Sequence, residues 1–398
     1  MRLSNNLANA NRYLLIVLGF AMAVSVSIGT IVAVVIAILW ICSGNFAARI
    51  EEIKNNKVAL AFLAFYLLHI VGLAWTEDLK WGLHMAGKEW KILMLPVLMT
   101  AMKKEDSKYY LTAFIAAMTF AHVVSYLNIL GITKFTVMGH VFYNVLLAVC
   151  IYFILDKLVF YKLSKSLLII YSILFISMSI NMFITIGRTG QIIYFVSLII
   201  ILFQFFESKI ARSVSLSILL IPILFFTIYY TSNVFKNRID AVVDEVTTFK
   251  MNRPSKYVND RITFYINTLN IIKNNLLLGV GTGDFSKEYN KVNQLQTPDV
   301  VTTVNPHNNY LLVMAQFGIL GLLIFLSIFY FQIRCAFATS DLSRHNKLAL
   351  PIIFMTAMFT DSYLLGHFTS LSFVYFSAFL YKDCNTFQEN RRWHIESV

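Results

Sequence analysis

Apolar runs long enough to cross a bilayer recur from residue 12 to residue 382, separated mostly by short polar links. A chain written this way cannot enclose one soluble core, because each run has the roughly 20 apolar residues that a spanning helix needs. The runs are continuous and do not alternate every second residue, which argues against a transmembrane β-barrel. Composition agrees: 58% of residues are hydrophobic and 14% charged, where soluble domains carry about a quarter charged residues. The expected fold is therefore all-α and polytopic, with about twelve spans at 12–28, 29–44, 58–75, 83–102, 109–130, 139–156, 165–186, 190–206, 213–231, 307–331, 349–365 and 367–382. Tight hinges are expected around Ser27–Thr30 and near Gly366.

Charge sets the orientation. With the N-terminus in the cytoplasm, nineteen lysines and arginines fall in inside segments and five (Lys80, Lys88, Lys91, Lys134 and Arg188) in short outside ones. That bias puts both termini in the cytoplasm and the long segment 232–306 outside. The same excess accounts for the formal net charge of +12. The basic residues form no patch interleaved with aromatics, so nucleic-acid binding is not expected. Cys42, Cys150, Cys335 and Cys384 form no CxxC pair and read as neither a disulfide framework nor a zinc site. The first apolar run, after Arg2 and Arg12, reads as a retained helix rather than a cleaved signal.

The chain thus divides into helices one to nine (1–231), an outer loop (232–306), helices ten to twelve (307–382) and a cytoplasmic tail (383–398). The loop is not a bare linker. Phe235–Phe249 carries Ile239, Val242, Val243 and Val246 at helical spacing. A second helix, capped by Asn259 or Asp260, should run through Lys273 with Ile262, Tyr265, Ile266, Leu269 and Ile272 on its apolar stripe. Gly279, Gly281 and Gly283 then mark a turn, and a short polar helix follows near Ser286–Val292. GVGTGDF superficially resembles a dinucleotide fingerprint, but it follows a helix rather than a strand and lacks the Lys-Ser/Thr of a P-loop.

Five residues could carry chemistry. His307, after Pro306, reads as the first turn of a helix, where the dipole favours a neutral imidazole and a nearby anion. It is either a general base for a hydroxyl or a polar cap at the membrane boundary. Arg188, in ITIGRTGQII, is an anion ligand through its planar fork or a snorkelling rim residue. Arg261 heads the second loop helix, where a cation opposes the dipole. An anionic partner fits it, as does a surface pair with Asp260 or Glu288. Lys88 could meet a lipid phosphate or anchor an interfacial helix beside Trp81 and Trp90, and Asp361, within a span, could pair with or orient a cationic group. His140 and Asn144 open the sixth span. Asp240 and Asp244 lie one helical turn apart without a histidine, and no Asp-x-Asp occurs, so a metal is not expected.

PHNNYLLVMAQFGILGLL, the upstream NDRITFYINTLNIIKNNLLLGVGTGDF and GRTGQ after the seventh span together resemble the O-antigen ligase family, within the broader bacterial ligase and polymerase superfamily. The resemblance implies a bacterial inner-membrane enzyme with one large periplasmic loop. It would transfer a glycan from undecaprenyl pyrophosphate to a lipid A–core sugar, with no metal, nucleotide or other cofactor. It also implies that His307 is the base and that Arg188 and Arg261 bind the pyrophosphate. Gln316 stands where relatives often carry Glu and receives no role. An O-antigen polymerase, a protein O-oligosaccharyltransferase and a polysaccharide flippase are the alternatives. The single large outer loop favours a ligase over a polymerase, and the lack of an internal repeat disfavours a transporter.

Overall fold

A computed structural model describes residues 2–207, 209–250 and 261–384. The helix cap expected at Asn259 or Asp260, and Arg391 and Arg392 of the tail, lie outside the described residues. Within them there is no strand, and the chain forms seventeen α-helices. In order these are α1 (Arg2–Val24), α2 (Val26–Cys42), α3 (Phe46–Lys54), α4 (Lys57–Val71), α5 (Leu79–Lys88), α6 (Trp90–Ala101), α7 (Ser107–Ile129), α8 (His140–Phe160) and α9 (Lys165–Ile184). Then come α10 (Arg188–Phe206), α11 (Ile210–Thr231), α12 (Asn233–Lys250), α13 (Arg261–Asn274), α14 (Phe285–Gln296), α15 (Asn309–Ala338), α16 (Ser343–Met358) and α17 (His367–Leu380).

Seven helical segments are long and apolar enough to cross a membrane: Lys57–Trp75, Lys104–Ile129, His140–Phe160, Lys165–Ile184, Arg188–Phe206, Ile210–Thr231 and Asn309–Ala338. The bent pair α2 and α3, turned by 116°, could supply an eighth, and Asn9–Val24 and His367–Leu380 are shorter apolar helices. Several sequence expectations shift. The first hinge falls at Ser25, whose hydroxyl caps α2 by accepting from Ile28 N, and not at Ser27–Thr30. The expected span 83–102 is two helices broken at Glu89. At 1.5 Å per residue, the second of them is only about 18 Å long. Asp78 begins the first by accepting from Trp81 N at 3.0 Å.

The centre of the bundle is α17, buried on every side from Phe368 to Leu380. It has no charged residue to hold a face toward water, and it buries the small hydroxyls of Thr369, Ser370, Ser372 and Ser377 along with its aromatics. It packs against α6, α1, α16 and α8, with the Phe376 ring edge-on to Phe114 and Phe153, and Phe373 tilted against Phe354 and Phe62. Phenylalanine thus serves as interior packing here. By contrast α11 has no buried residue in its most apolar window, as expected of a helix at the rim facing lipid. Cys335 and Cys384 are paired as a disulfide across the α15 and α17 ends, where the sequence reading expected no disulfide framework. Their spacing of 49 residues carries no motif that could signal it.

Candidate active site

The NPHNN stretch is held, residue by residue, against the link between α16 and α17. Asn308 caps α15 by accepting from Leu311 N at 3.1 Å and donates to Phe359 O at 3.2 Å. Asn309 Oδ1 accepts from Leu364 N at 3.2 Å. Asn305 Oδ1 accepts from Ser362 Oγ at 2.6 Å and from His307 N at 3.0 Å. These short amide side chains replace helix or strand pairing with local side-chain bonds, which is why the chain is non-regular here yet fixed. Helix α15 begins at Asn309, so His307 precedes the helix instead of lying in its first turn, and its backbone has φ +55°. Left-handed backbone at a residue other than glycine is uncommon, and it clusters at functional positions.

His307 Nδ1 lies 3.0 Å from Asp361 Oδ1. The ring stacks on Phe264 at 6.0 Å between centroids, and its carbonyl accepts from Tyr265 Oη at 3.2 Å. Helix α16 ends at Met358, so Asp361 sits in the link and not within a span. Burial alone would push its carboxyl up. The hydrogen bond and charge of His307, the Ser362 amide and nearby Arg261 outweigh that and hold it below the ordinary carboxylate range. In the neutral ring, a carboxylate at this position accepts from an Nδ1–H, the tautomer in which Nε2 is the acceptor.

Asp361 also lines a cavity of about 600 Å³ whose wall includes Arg188, Arg238, Arg261, His140 and Tyr363. Arg261 opens α13, donates to Thr360 O at 3.1 Å and has Nη2 4.0 Å from Asp361 Oδ2. Arg188 opens α10. Its link is pinned by Asn144 of α8, which donates to Ile186 O at 2.7 Å and accepts from Thr185 Oγ1 at 3.1 Å. The next residue, Thr189, meets Thr360 hydroxyl to hydroxyl at 2.6 Å. One short link, 359–364, therefore contacts both the Arg188 turn and the His307 loop. His307 itself is not in the cavity wall and is joined to it through Asp361.

The loop helices form a cap with its own core of Ile271, Ile272, Phe285, Tyr289, Leu312 and Ala315. The inward side of α13 is partly polar, since Asn267 and Thr268 are buried whereas Ile266 and Leu269 of the expected apolar stripe are exposed. Asn267 Nδ2 donates to Thr297 Oγ1 at 2.8 Å. The glycine-rich turn then clamps the cap to the bundle. Val280 N and Gly281 N donate to Ala315 O and Gln316 O at 2.9 Å, and Ile319 N donates back to Leu276 O at 2.8 Å. These bonds require a break in α15 at Gly318, φ +63°, where a Cβ would sit 2.2 Å from Leu277 O. Gln316 Oε1 accepts from Gly283 N at 2.7 Å, a structural role for the residue left unassigned from sequence. On the other side Thr282 Oγ1 donates to His69 O at 2.7 Å, and Asp284 accepts from Glu77 N and Asp78 N. The turn is a latch between loop and bundle.

Residues 173–326 match the family described as O-antigen ligase. Over this segment the chain is similar to the O-antigen ligase family. No curated protein matches the chain. With its several apolar helices, it is a multi-pass membrane protein. The matched segment holds Arg188, Arg238, Arg261, His307 and the glycine latch, and excludes Lys88 and Asp361. Lys88 is not brought to the cavity, and its ammonium lies 5.7 Å from the centroid of the Trp81 ring. Arg238 is the cavity residue that sequence reading missed. Its only signal was its register with Val234 and Ala241 on α12, which line the same wall. Among the described residues no three His, Cys, Asp or Glu side chains converge as a metal-binding group.

Proposed function

We propose that the chain is an O-antigen ligase, transferring O-antigen polysaccharide from undecaprenyl pyrophosphate to a sugar hydroxyl of lipid A–core at the periplasmic face of the bacterial inner membrane. One observation carries this reading. Three arginines line one cavity with a carboxylate, and that carboxylate holds the imidazole of His307. In this reading about twelve segments cross the membrane, both termini are cytoplasmic, and the cap 232–306 is periplasmic.

The chemistry follows from the parts. His307 Nε2 takes the proton of the acceptor hydroxyl as its oxygen attacks the anomeric carbon. The bond from that carbon to the pyrophosphate oxygen breaks, and its electron pair leaves on undecaprenyl pyrophosphate. Attack opposite the leaving group inverts the anomeric configuration. Arg188 and Arg261 hold the pyrophosphate through paired N–H donors, so charge developing on the leaving oxygens meets fixed positive groups without a divalent ion. Asp361 supports the imidazolium that forms, and Lys88 contributes at most a lipid-phosphate contact outside the cavity.

The test is the lipopolysaccharide of a strain lacking the protein. Lipid-linked polymer should accumulate while the core stays uncapped, and restoring the wild-type chain should cap it. Single repeat units on the core would instead identify a polymerase, and export failure with no linked polymer outside would identify a flippase.

A further inference from the structure

At the opposite end of the bundle, a second cavity of about 150 Å³ is lined by Lys104, Lys108, Lys157, Lys347, Asn346 and Asp383. Helix α8 connects the two regions, with His140 in the arginine cavity and Lys157 in this one. Seventeen residues of helix separate these positions by about 26 Å. We propose that this cavity binds a phosphate ester bearing free hydroxyls, the headgroup of an anionic glycerophospholipid.

Four ammonium groups face a single lining carboxylate, and Asp383 is already paired with Lys104 at 3.2 Å. A lysine excess at cytoplasmic helix ends needs no ligand to explain it. That rule does not, however, call for lysines from three separate helices to meet in one concavity, nor for one of them to be buried. Lys347 is only 5% exposed, and its ammonium donates to Thr339 Oγ1 at 3.0 Å with no ion-pair partner among the described residues. The nearest carboxylates, Asp341 and Asp383, lie beyond ion-pair distance of it and are already paired with Lys104, and a phosphate would supply a direct counter-charge.

Asn346 adds the second feature. It is 4% exposed and donates to Asp156 Oδ2 at 3.2 Å, and its carbonyl oxygen has no partner among the described residues. An acceptor left unpaired beside four cations suits a ligand that brings hydroxyl donors along with its negative charge. Leu111 and Phe379 form the apolar side of the cavity, where acyl chains would continue.

The experiment uses the purified full chain in detergent, titrated with phosphatidylglycerol or phosphatidylcholine of matched acyl chains, and separately with inorganic phosphate. Bound lipid is read by native mass spectrometry and stability by Tm. Phosphatidylglycerol should be retained preferentially and should raise Tm. Lys108→Gln and Lys157→Gln should each weaken that retention about fivefold, while Lys80→Gln, at the other end, should behave as wild type. Lys108 is exposed, so its variant keeps the test valid if Lys157→Gln fails to fold. A lysine-dependent Tm rise with inorganic phosphate equal to that with phosphatidylglycerol would support the anion site and name free phosphate as its source. Equal retention of both lipids by the wild type, or undiminished selectivity in Lys108→Gln and Lys157→Gln, would overturn the proposal.

Discussion

The Asp361 carboxylate meets the His307 imidazole at 3.0 Å across 54 residues of sequence, and the same carboxylate stands 4.0 Å from the Arg261 guanidinium. It therefore joins the imidazole to the arginine-lined cavity. Asp361→Asn keeps the shape, and Ser362 N fixes an acceptor oxygen toward Nδ1, but it removes the negative charge that supports the imidazolium and turns its amide N–H toward the Arg261 guanidinium. Transfer should fall by about two orders of magnitude or more, with the loss in kcat rather than donor KM. His307→Ala should fall as far. Unchanged kcat in Asp361→Asn would remove the carboxylate from the mechanism.

The depressed carboxyl of Asp361 also has a stability consequence. A folded value below the unfolded one contributes stability that is complete above about pH 4 and is lost as pH falls through the folded value. The stability difference between wild type and Asp361→Asn should shrink across that acid range, as read by unfolding at several pH values.

Arg261→Lys should be nearly as damaging as Arg261→Ala. An ammonium cannot donate to Thr360 O while presenting a second parallel N–H to a phosphate. In vitro transfer with purified donor and acceptor measures this, and a fully active lysine variant would argue against a bidentate clamp.

Arg238 tests a residue that only the fold reveals. Arg238→Ala should raise donor KM with a smaller change in kcat, because it lines the cavity without touching the His307–Asp361 pair. An unchanged KM would assign Arg238 to the cavity wall alone.

Gly318→Ala should destabilise the protein by at least about 2 kcal/mol, through left-handed backbone and contact with Leu277 O. Limited proteolysis should then cut first within the cap, followed by loss of transfer. Cleavage that begins elsewhere would show that the latch does not hold the cap.

Transfer by purified protein should persist in excess chelator, since fixed arginines are proposed to carry the leaving-group charge. Activity lost to chelator and restored by a divalent ion would replace that account.

What was legible in the sequence was what lies in local pattern. Apolar runs gave the helical class, the glycines of GVGTGDF gave a turn, and NPHNN marked a polar junction. The partner of His307 was not legible, because Asp361 reaches it only once α15, α16 and their link have packed. Arg238 was hidden for a similar reason: on an amphipathic helix its side is defined by what α12 packs against. The break at Glu89 and the inward polar face of α13 were missed because hydropathy sees residue type and not partners. Buried Asn267 donates from Nδ2 to Thr297, and no window average records that.

The backbone bonds between the glycine turn and the two sides of Gly318 limit how such proteins can be recombined. The cap cannot be traded between relatives as a cassette bounded by residues 232 and 308, because its register is written partly into the first three turns of α15. A crossover placed before Asn309 would divide donors from acceptors that must match to the residue. One placed beyond Ile319 would carry the whole latch across together, so the smallest unit that can be exchanged intact is the cap plus the upper part of the helix below it.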